Sequence, residues 1–166
     1  MASFILDTNI VQYSSSRGTS IPFTNLLADL DSQGHSLYFS EYSIFELLRG
    51  AKLKTETELV SILDKFKKYP VDTNILLTAA QLETVYRMES IPCEKISDGD
   101  KIIAATSIIT NNFILTTNGR DFPWPYFIEQ ERTPLVFNEN HYSKTILVAT
   151  FSPDLNLLMK RFSERG

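Results

Sequence analysis

Ala2-Ser3-Phe4-Ile5-Leu6-Asp7-Thr8-Asn9-Ile10 is the stretch on which the reading of the fold turns. Its apolar run, residues 2–6, stops at a carboxylate, as a short buried strand of a parallel sheet would. Two further runs behave alike. Leu37-Tyr38-Phe39 ends at Ser40, and Phe113-Ile114-Leu115-Thr116 leads into the turn signal Asn118-Gly119. Between them the apolar spacing is helical: Phe23, Leu26, Leu27 and Leu30 follow Pro22, a first-turn proline, and Ile44, Leu47, Leu48 and Ala51 follow the second run. A third amphipathic stretch covers residues 55–66. Lys65, Lys67 and Lys68 fall at its end, where cations suit the helix dipole, before Pro70. Residues 73–88 read as a long helix with Pro92 beyond it. Residues 98–110 read as another, carrying Ile102, Ile103, Ala105, Thr106 and Ile109.

Strands alternating with helices predict an α/β class, a parallel sheet covered by helices. Such sheets gather ligands at the carboxyl ends of their strands. Asp7, Ser40 and Thr116 stand at strand ends and are expected on one rim. Beyond Pro123 the texture changes: residues 135–137 and 146–151 read as strands around Asn138-Glu139-Asn140, and residues 155–162 as a last helix. One domain is expected over residues 1–166, a core of 1–125 with a C-terminal β-hairpin and helix over 126–166.

The 166 residues suit one domain, and at 43% apolar and 22% charged with mean hydropathy -0.10 they have a globular composition. A chain of this length buries roughly 70% of its extended surface and needs no disulfide or structural metal. Cys93 is the single cysteine, and His35 and His141 are far apart, which argues against a zinc enzyme. No apolar stretch approaches ~20 residues and no basic, apolar leader is seen, so neither a membrane span nor a secretory signal is expected. A reducing cytoplasm is the expected compartment. A net charge of -4 and a pI near 5.2 count against a general nucleic-acid coat protein.

The groups able to carry chemistry are acids near element ends: Asp7, Glu46, Asp98 or Asp100, and Asp121. Each has a plain structural alternative. Asp7 suits a helix N-cap; Ser43 with Glu46, and Ser97 with Asp100, have capping-box spacing; Asp121 suits a turn. Together, acids gathered at one sheet rim without histidine or cysteine suit Mg²⁺ or Mn²⁺. Clustered carboxylates repel one another until a cation neutralises them. Phosphodiester hydrolysis is the chemistry such a site performs. No phosphate-binding glycine loop and no G-x-S-x-G elbow occurs, so nucleotide-cofactor and serine-hydrolase readings lack support.

Four segments in order, Leu6-Asp7-Thr8-Asn9-Ile10, Ser40 through Glu46-Leu47-Leu48-Arg49-Gly50, Asp100-Lys101-Ile102-Ile103-Ala104-Ala105 and Thr116-Thr117-Asn118-Gly119-Arg120-Asp121-Phe122, resemble the signatures of PIN-domain nucleases, VapC-type toxins of bacterial toxin–antitoxin pairs in particular. The resemblance covers residues 1–125. It implies a Rossmann-like sheet and a Mg²⁺- or Mn²⁺-dependent endoribonuclease cutting RNA, often tRNA or rRNA, and silenced by a small antitoxin. It implies that Asp7, Glu46, Asp100 and Asp121 hold metal. Thr116 and Asn118 match the polar positions of the last motif and are expected in the catalytic site; Ser40 matches the serine opening the second and is expected to contact substrate. A nuclease outside any toxin–antitoxin system, or a binding module without catalysis, are the alternative readings.

Asp98 and Asp100 would point about 200° apart on one helix, so only one of them can face an ion. Spacing to Ile103-Ala104-Ala105 favours Asp100; a helix starting at Gly99 would make Asp98 its N-cap. Glu41 is a weaker rival to Glu46. Phosphate contact needs local positive charge, and Arg49, Lys101 and Arg120, tied to motif segments, are the candidates for substrate. Lys52, Lys54 and the 65–68 lysines read more simply as solvated helix faces. Trp124, between Pro123 and Pro125 and followed by Tyr126 and Phe127, is suited to stack a base, but packing in the core or meeting a second copy in a homodimer is the favoured reading.

Overall fold

β1 (Ser3–Leu6) occupies the centre of the parallel part of a six-stranded sheet, and Ile5 and Leu6 are wholly inaccessible to solvent. The computed structural model describes residues 1–49, 51–139 and 142–164. β2 (Ser36–Ser40) and β4 (Phe113–Thr116) flank β1, both parallel to it, and β3 (Lys67–Tyr69) runs parallel to β2. On the other side β6 (Tyr142–Pro153) pairs antiparallel with β4, and β5 (Phe127–Glu139) closes the edge, giving the order β3-β2-β1-β4-β6-β5.

Helices cover both faces, which is why the central strands are continuously apolar. Phe4, Leu6, Leu115 and Val148 face Ile10 and Val11 of α1 (Thr8–Ser15), Phe23 and Leu27 of α2 (Ser20–Ser32) and Leu63 of α4 (Leu53–Leu63). Ile5 and Ile114 face the other way. They meet Leu82, Val85 and Tyr86 of α5 (Thr73–Met88), Ile103 and Ala104 of α6 (Asp98–Thr110) and Leu158 of α7 (Leu155–Ser163). Each fully buried Ile or Leu contributes roughly 1.5–3 kcal/mol. α3 (Glu41–Leu48) leaves the end of β2 directly.

Residues 101–108 of α6 are buried on every side, the mark of a core helix. Its N-terminus is therefore delivered firmly to the rim of the sheet.

Two expectations need correction. The lysines 67 and 68 do not end a helix: α4 stops at Leu63, and Lys67 and Lys68 pair with Tyr38 and Phe39 as the start of β3. A three-residue edge strand with lysines on it blunts the sheet edge, and Tyr69 anchors it against Tyr38 with ring centroids 6.1 Å apart. The C-terminal strands are also much longer than residues 135–137 and 146–151, because they pair with each other well beyond the sheet. Asn140 of the expected turn, His141, and Gly50 at the close of the second motif lie outside the described residues. No helix among the described residues is long and apolar enough to cross a membrane.

Candidate active site

Leu6 is in register with Phe39 on one side and Leu115 on the other. The residues that follow, Asp7, Ser40 and Thr116, therefore stand side by side where the strands end. Asp7 is 3% exposed and caps α1. Its carboxylate accepts from Thr116 Oγ1 at 2.5 Å, from Asn9 Nδ2 at 2.6 Å and weakly from the Asn9 N–H at 3.4 Å. Thr116 Oγ1 in turn accepts the Asn118 N–H at 2.9 Å, and Asn118 Nδ2 donates to Asp121 Oδ2 at 2.5 Å. One chain of hydrogen bonds thus joins the first motif to the last.

Asp100 belongs to the same cluster. Burial pushes the Asp7 carboxyl up to about 7; the Thr116 hydrogen bond opposes the rise and the charges of Asp100 and Asp121 add to it. Burial and then the Asp100 charge, with a hydrogen bond between the two carboxyls, push Asp121 up to about 6. These are carboxyls short of positive charge. At its other edge Asp100 forms a capping box with Ser97: its Oδ2 accepts from Ser97 Oγ at 2.6 Å, and its N–H donates to Ser97 Oγ at 3.1 Å. Asp100 serves the helix cap and the cluster at once. Asp98, the first helical residue rather than the N-cap, is turned outward to solvent.

Glu46, on α3, stands beside the first turn of α6, which carries Asp100. Its expected capping box with Ser43 does not form, because Ser40 caps α3 and Ser43 lies inside the helix. Instead Thr8 Oγ1 donates to Glu46 Oε2 at 2.6 Å, and the Glu46 carboxylate lies against the backbone of Gly99. A Cβ on residue 99 would come within 2.3 Å of Glu46 Oε1. Only glycine leaves the carboxylate its place beside the first turn of α6, where the helix dipole favours negative charge. Glu41, the rival, is exposed at the start of α3.

The cationic candidates divide. Arg49 and Arg120 are exposed, the former with its guanidinium 5.8 Å from the centroid of the Phe45 ring. Lys101 is not presented to a substrate: its side chain is 9% exposed and its ammonium is held by Glu83 at 3.0 Å and Asp98 at 3.4 Å. Ser40 is fully buried, and its hydroxyl accepts the Tyr42 N–H at 3.2 Å. Both expected substrate contacts are thus committed to the scaffold. Among the described residues, no three acidic, histidine or cysteine side chains already surround one point as a closed ligand set. Asp100 leans on Ser97, Asp121 on Asn118 and Glu46 on Thr8. The donors nonetheless fit a hard divalent cation, being all oxygen, mutually repelling and on one rim.

Compared with known proteins, residues 4–126 match the family model for the PIN domain. The chain belongs to the PIN-domain family. It is 36% identical over 101 residues to the protein named Ribonuclease VapC19 in two strains of Mycobacterium tuberculosis, covering 59% of this chain and 76% of the relative. Among solved structures, VapBC2 from Rickettsia felis bound to a DNA fragment from its promoter superposes with TM-score 0.63 at 21% identity. FitAcB from Neisseria gonorrhoeae does so with TM-score 0.59 at 22% identity, and both cover 72% of this chain and 90% of theirs. A toxin–antitoxin complex from Klebsiella pneumoniae gives 0.54 at 24%, covering 75% and 92%. The matched PIN-domain segment ends just before β5, so the hairpin and α7 lie beyond it.

Three supporting residues escaped sequence reasoning. Asn9 holds Asp7 with its amide N–H and accepts the Thr117 N–H at 3.2 Å with its amide oxygen. Thr8 orients Glu46, and Glu83 on α5 neutralises Lys101. Asn9 was legible in part, since an Asn two residues after an N-cap acid is a local hydrogen-bonding signal. Thr8 and Glu83 act across the fold and leave no local trace. Asn9→Ala is expected to reduce nuclease activity roughly tenfold, by the logic of a supporting shell. Measured activity equal to the parent's would remove Asn9 from the site.

Proposed function

We propose that this chain is a divalent-metal-dependent endoribonuclease, the toxin of a toxin–antitoxin pair. The observation that carries the proposal is the buried Asp7 carboxyl at the strand ends of a PIN domain, joined through Thr116 and Asn118 to Asp121. Asp7, Glu46, Asp100 and Asp121 would hold Mg²⁺ or Mn²⁺. When bound, such an ion supplies positive charge at the scissile phosphate and makes water a better nucleophile. The protein's own groups supply position. Thr116 and Asn9 fix Asp7, Thr8 fixes Glu46, and Asn118 holds Asp121 where it orients the attacking water. Arg49 and Arg120 are the substrate contacts we retain for phosphate.

The relative's name, a ribonuclease, supports RNA as the substrate, with tRNA or rRNA our proposed targets. The similar solved structures, a VapBC assembly and a toxin–antitoxin complex among them, support a small antitoxin as partner. We further propose a homodimer acting in the cytoplasm. The test is to titrate purified protein with Mn²⁺ or Mg²⁺ in total cellular RNA and map the new ends. Discrete cleavage that EDTA stops is the expected result; cleavage that persists undiminished in EDTA refutes metal dependence. Growth arrest on expression, relieved by the product of an adjacent short gene, would establish the toxin role.

A further inference from the structure

We propose that the groove between the Asn118–Asp121 turn and the base of the C-terminal hairpin holds a base of single-stranded RNA, stacked on Trp124. The inference rests on the nuclease reading and extends it to a subsite. Trp124 is the one tryptophan of the chain and 80% exposed, whereas its neighbours Phe122, Tyr126 and Phe127 are each 1% exposed. Burial of those three rings fixes the loop on both sides of Trp124 and leaves its indole outside, so core packing does not explain it. An aromatic ring so placed offers a π-face for a nucleobase.

The groove has a volume of about 530 Å³, and Asn118, Arg120, Trp124 and Arg132 line it. Asn118 is the residue that holds Asp121, so the groove borders the turn that carries one of the four acids. A base seated there would belong to a nucleotide next to the phosphate being cut. Arg120 brings positive charge to this stretch. Arg132 is paired with Glu129, Nε to Oε1 at 2.9 Å, and contributes a planar guanidinium more than net charge. The floor is firm: a Cβ on Gly119 would stand 2.7 Å from Phe151 Cζ, so the turn is pressed onto β6. The hairpin wall lies beyond the matched PIN-domain segment, which makes the subsite a feature of this chain's extension.

A single tryptophan makes the test direct. Intrinsic fluorescence is followed while a short unlabelled oligoadenylate is added in EDTA, so that nothing is cut, and binding of the same RNA labelled at its 5′ end is followed by anisotropy. Stacking predicts quenching of the indole emission over the concentration range in which anisotropy rises. Trp124→Ala should weaken binding roughly tenfold and Trp124→Phe less, with unchanged melting temperatures for so exposed a ring. Binding without any change in emission, or with undiminished affinity in Trp124→Ala, overturns the subsite while leaving the nuclease reading intact. An emission spectrum that shifts with protein concentration and ignores RNA overturns it in favour of a protein contact at Trp124. No RNA binding together with no metal-dependent cleavage overturns the nuclease reading itself.

Discussion

Asp7→Asn is expected to lower metal-dependent RNA cleavage on the order of 10³-fold and, in metal-free protein at pH 8, to raise the melting temperature. The two effects have one cause. Asp7 titrates at 3.8 when free and at about 7 when buried in the folded chain. An acid whose folded pKa is raised contributes its stability below the unfolded value and loses it as pH rises through the folded one. Ionised Asp7 therefore burdens the metal-free fold progressively between about pH 4 and pH 7, and fully above. The gap corresponds to about 4 kcal/mol. Asparagine keeps an oxygen to accept from Thr116 and Asn9 but carries no charge. It should recover roughly 2–4 kcal/mol at pH 8, or about 5–15 °C for a chain of this size, and little at pH 4. Mn²⁺ should stabilise the parent and leave the variant nearly unmoved. Thermal melts at both pH values, with and without Mn²⁺, decide the matter: coincident melting curves at pH 8 would show that Asp7 is not a strained carboxyl.

Gly99→Ala is the second large effect, and it separates position from stability. The added methyl would overlap Glu46 Oε1 at 2.3 Å, but it is the far end of a flexible side chain that must yield. The fold should tolerate the change within about 1 kcal/mol, since alanine favours the helix that begins there. The displaced Glu46 carboxylate loses its place beside Thr8 and the first turn of α6. Cleavage should fall on the order of 10²-fold, as for a catalytic group moved by about 1 Å. Steady-state cleavage assays and melts on the same preparation check this. Full activity with an unchanged melt would mean that Glu46 does not act from this position.

What was legible in the sequence was whatever is local or periodic. Residues 73–88 and 98–110 show the helical period and are helices over those residues. The apolar runs ending at Asp7, Ser40 and Thr116 are parallel strands in register. Ser97 with Asp100 had capping-box spacing and forms the box, yet the same spacing at Ser43 and Glu46 does not, because the cap of α3 fell three residues earlier, on Ser40. Spacing cannot distinguish those cases; the position of the preceding strand end does. β3 was illegible for a related reason: Lys67-Lys68-Tyr69 has no pattern of its own and becomes a strand only because β2 offers it an edge. Lys101 shows that a place beside a motif acid does not mean exposure: burial of α6 turns its ammonium toward Glu83. The resemblance ordered the four acids along the chain. The register of three strands is what sets Asp7, Ser40 and Thr116 on one rim.

That register has a mechanical consequence. Asp7 and Thr116 are tied to adjacent backbones whose separation is the fixed spacing of hydrogen-bonded strands, about 4.8 Å, so neither can drift without breaking the ladder. Glu46, Asp100 and Asp121 are carried on short tethers instead, and each is parked on a hydroxyl or amide whose hydrogen bond contributes only about 1 kcal/mol. One anchor is stationary and three arms are adjustable, so the proposed metal site would close around cations of somewhat different radius by rotating side chains alone.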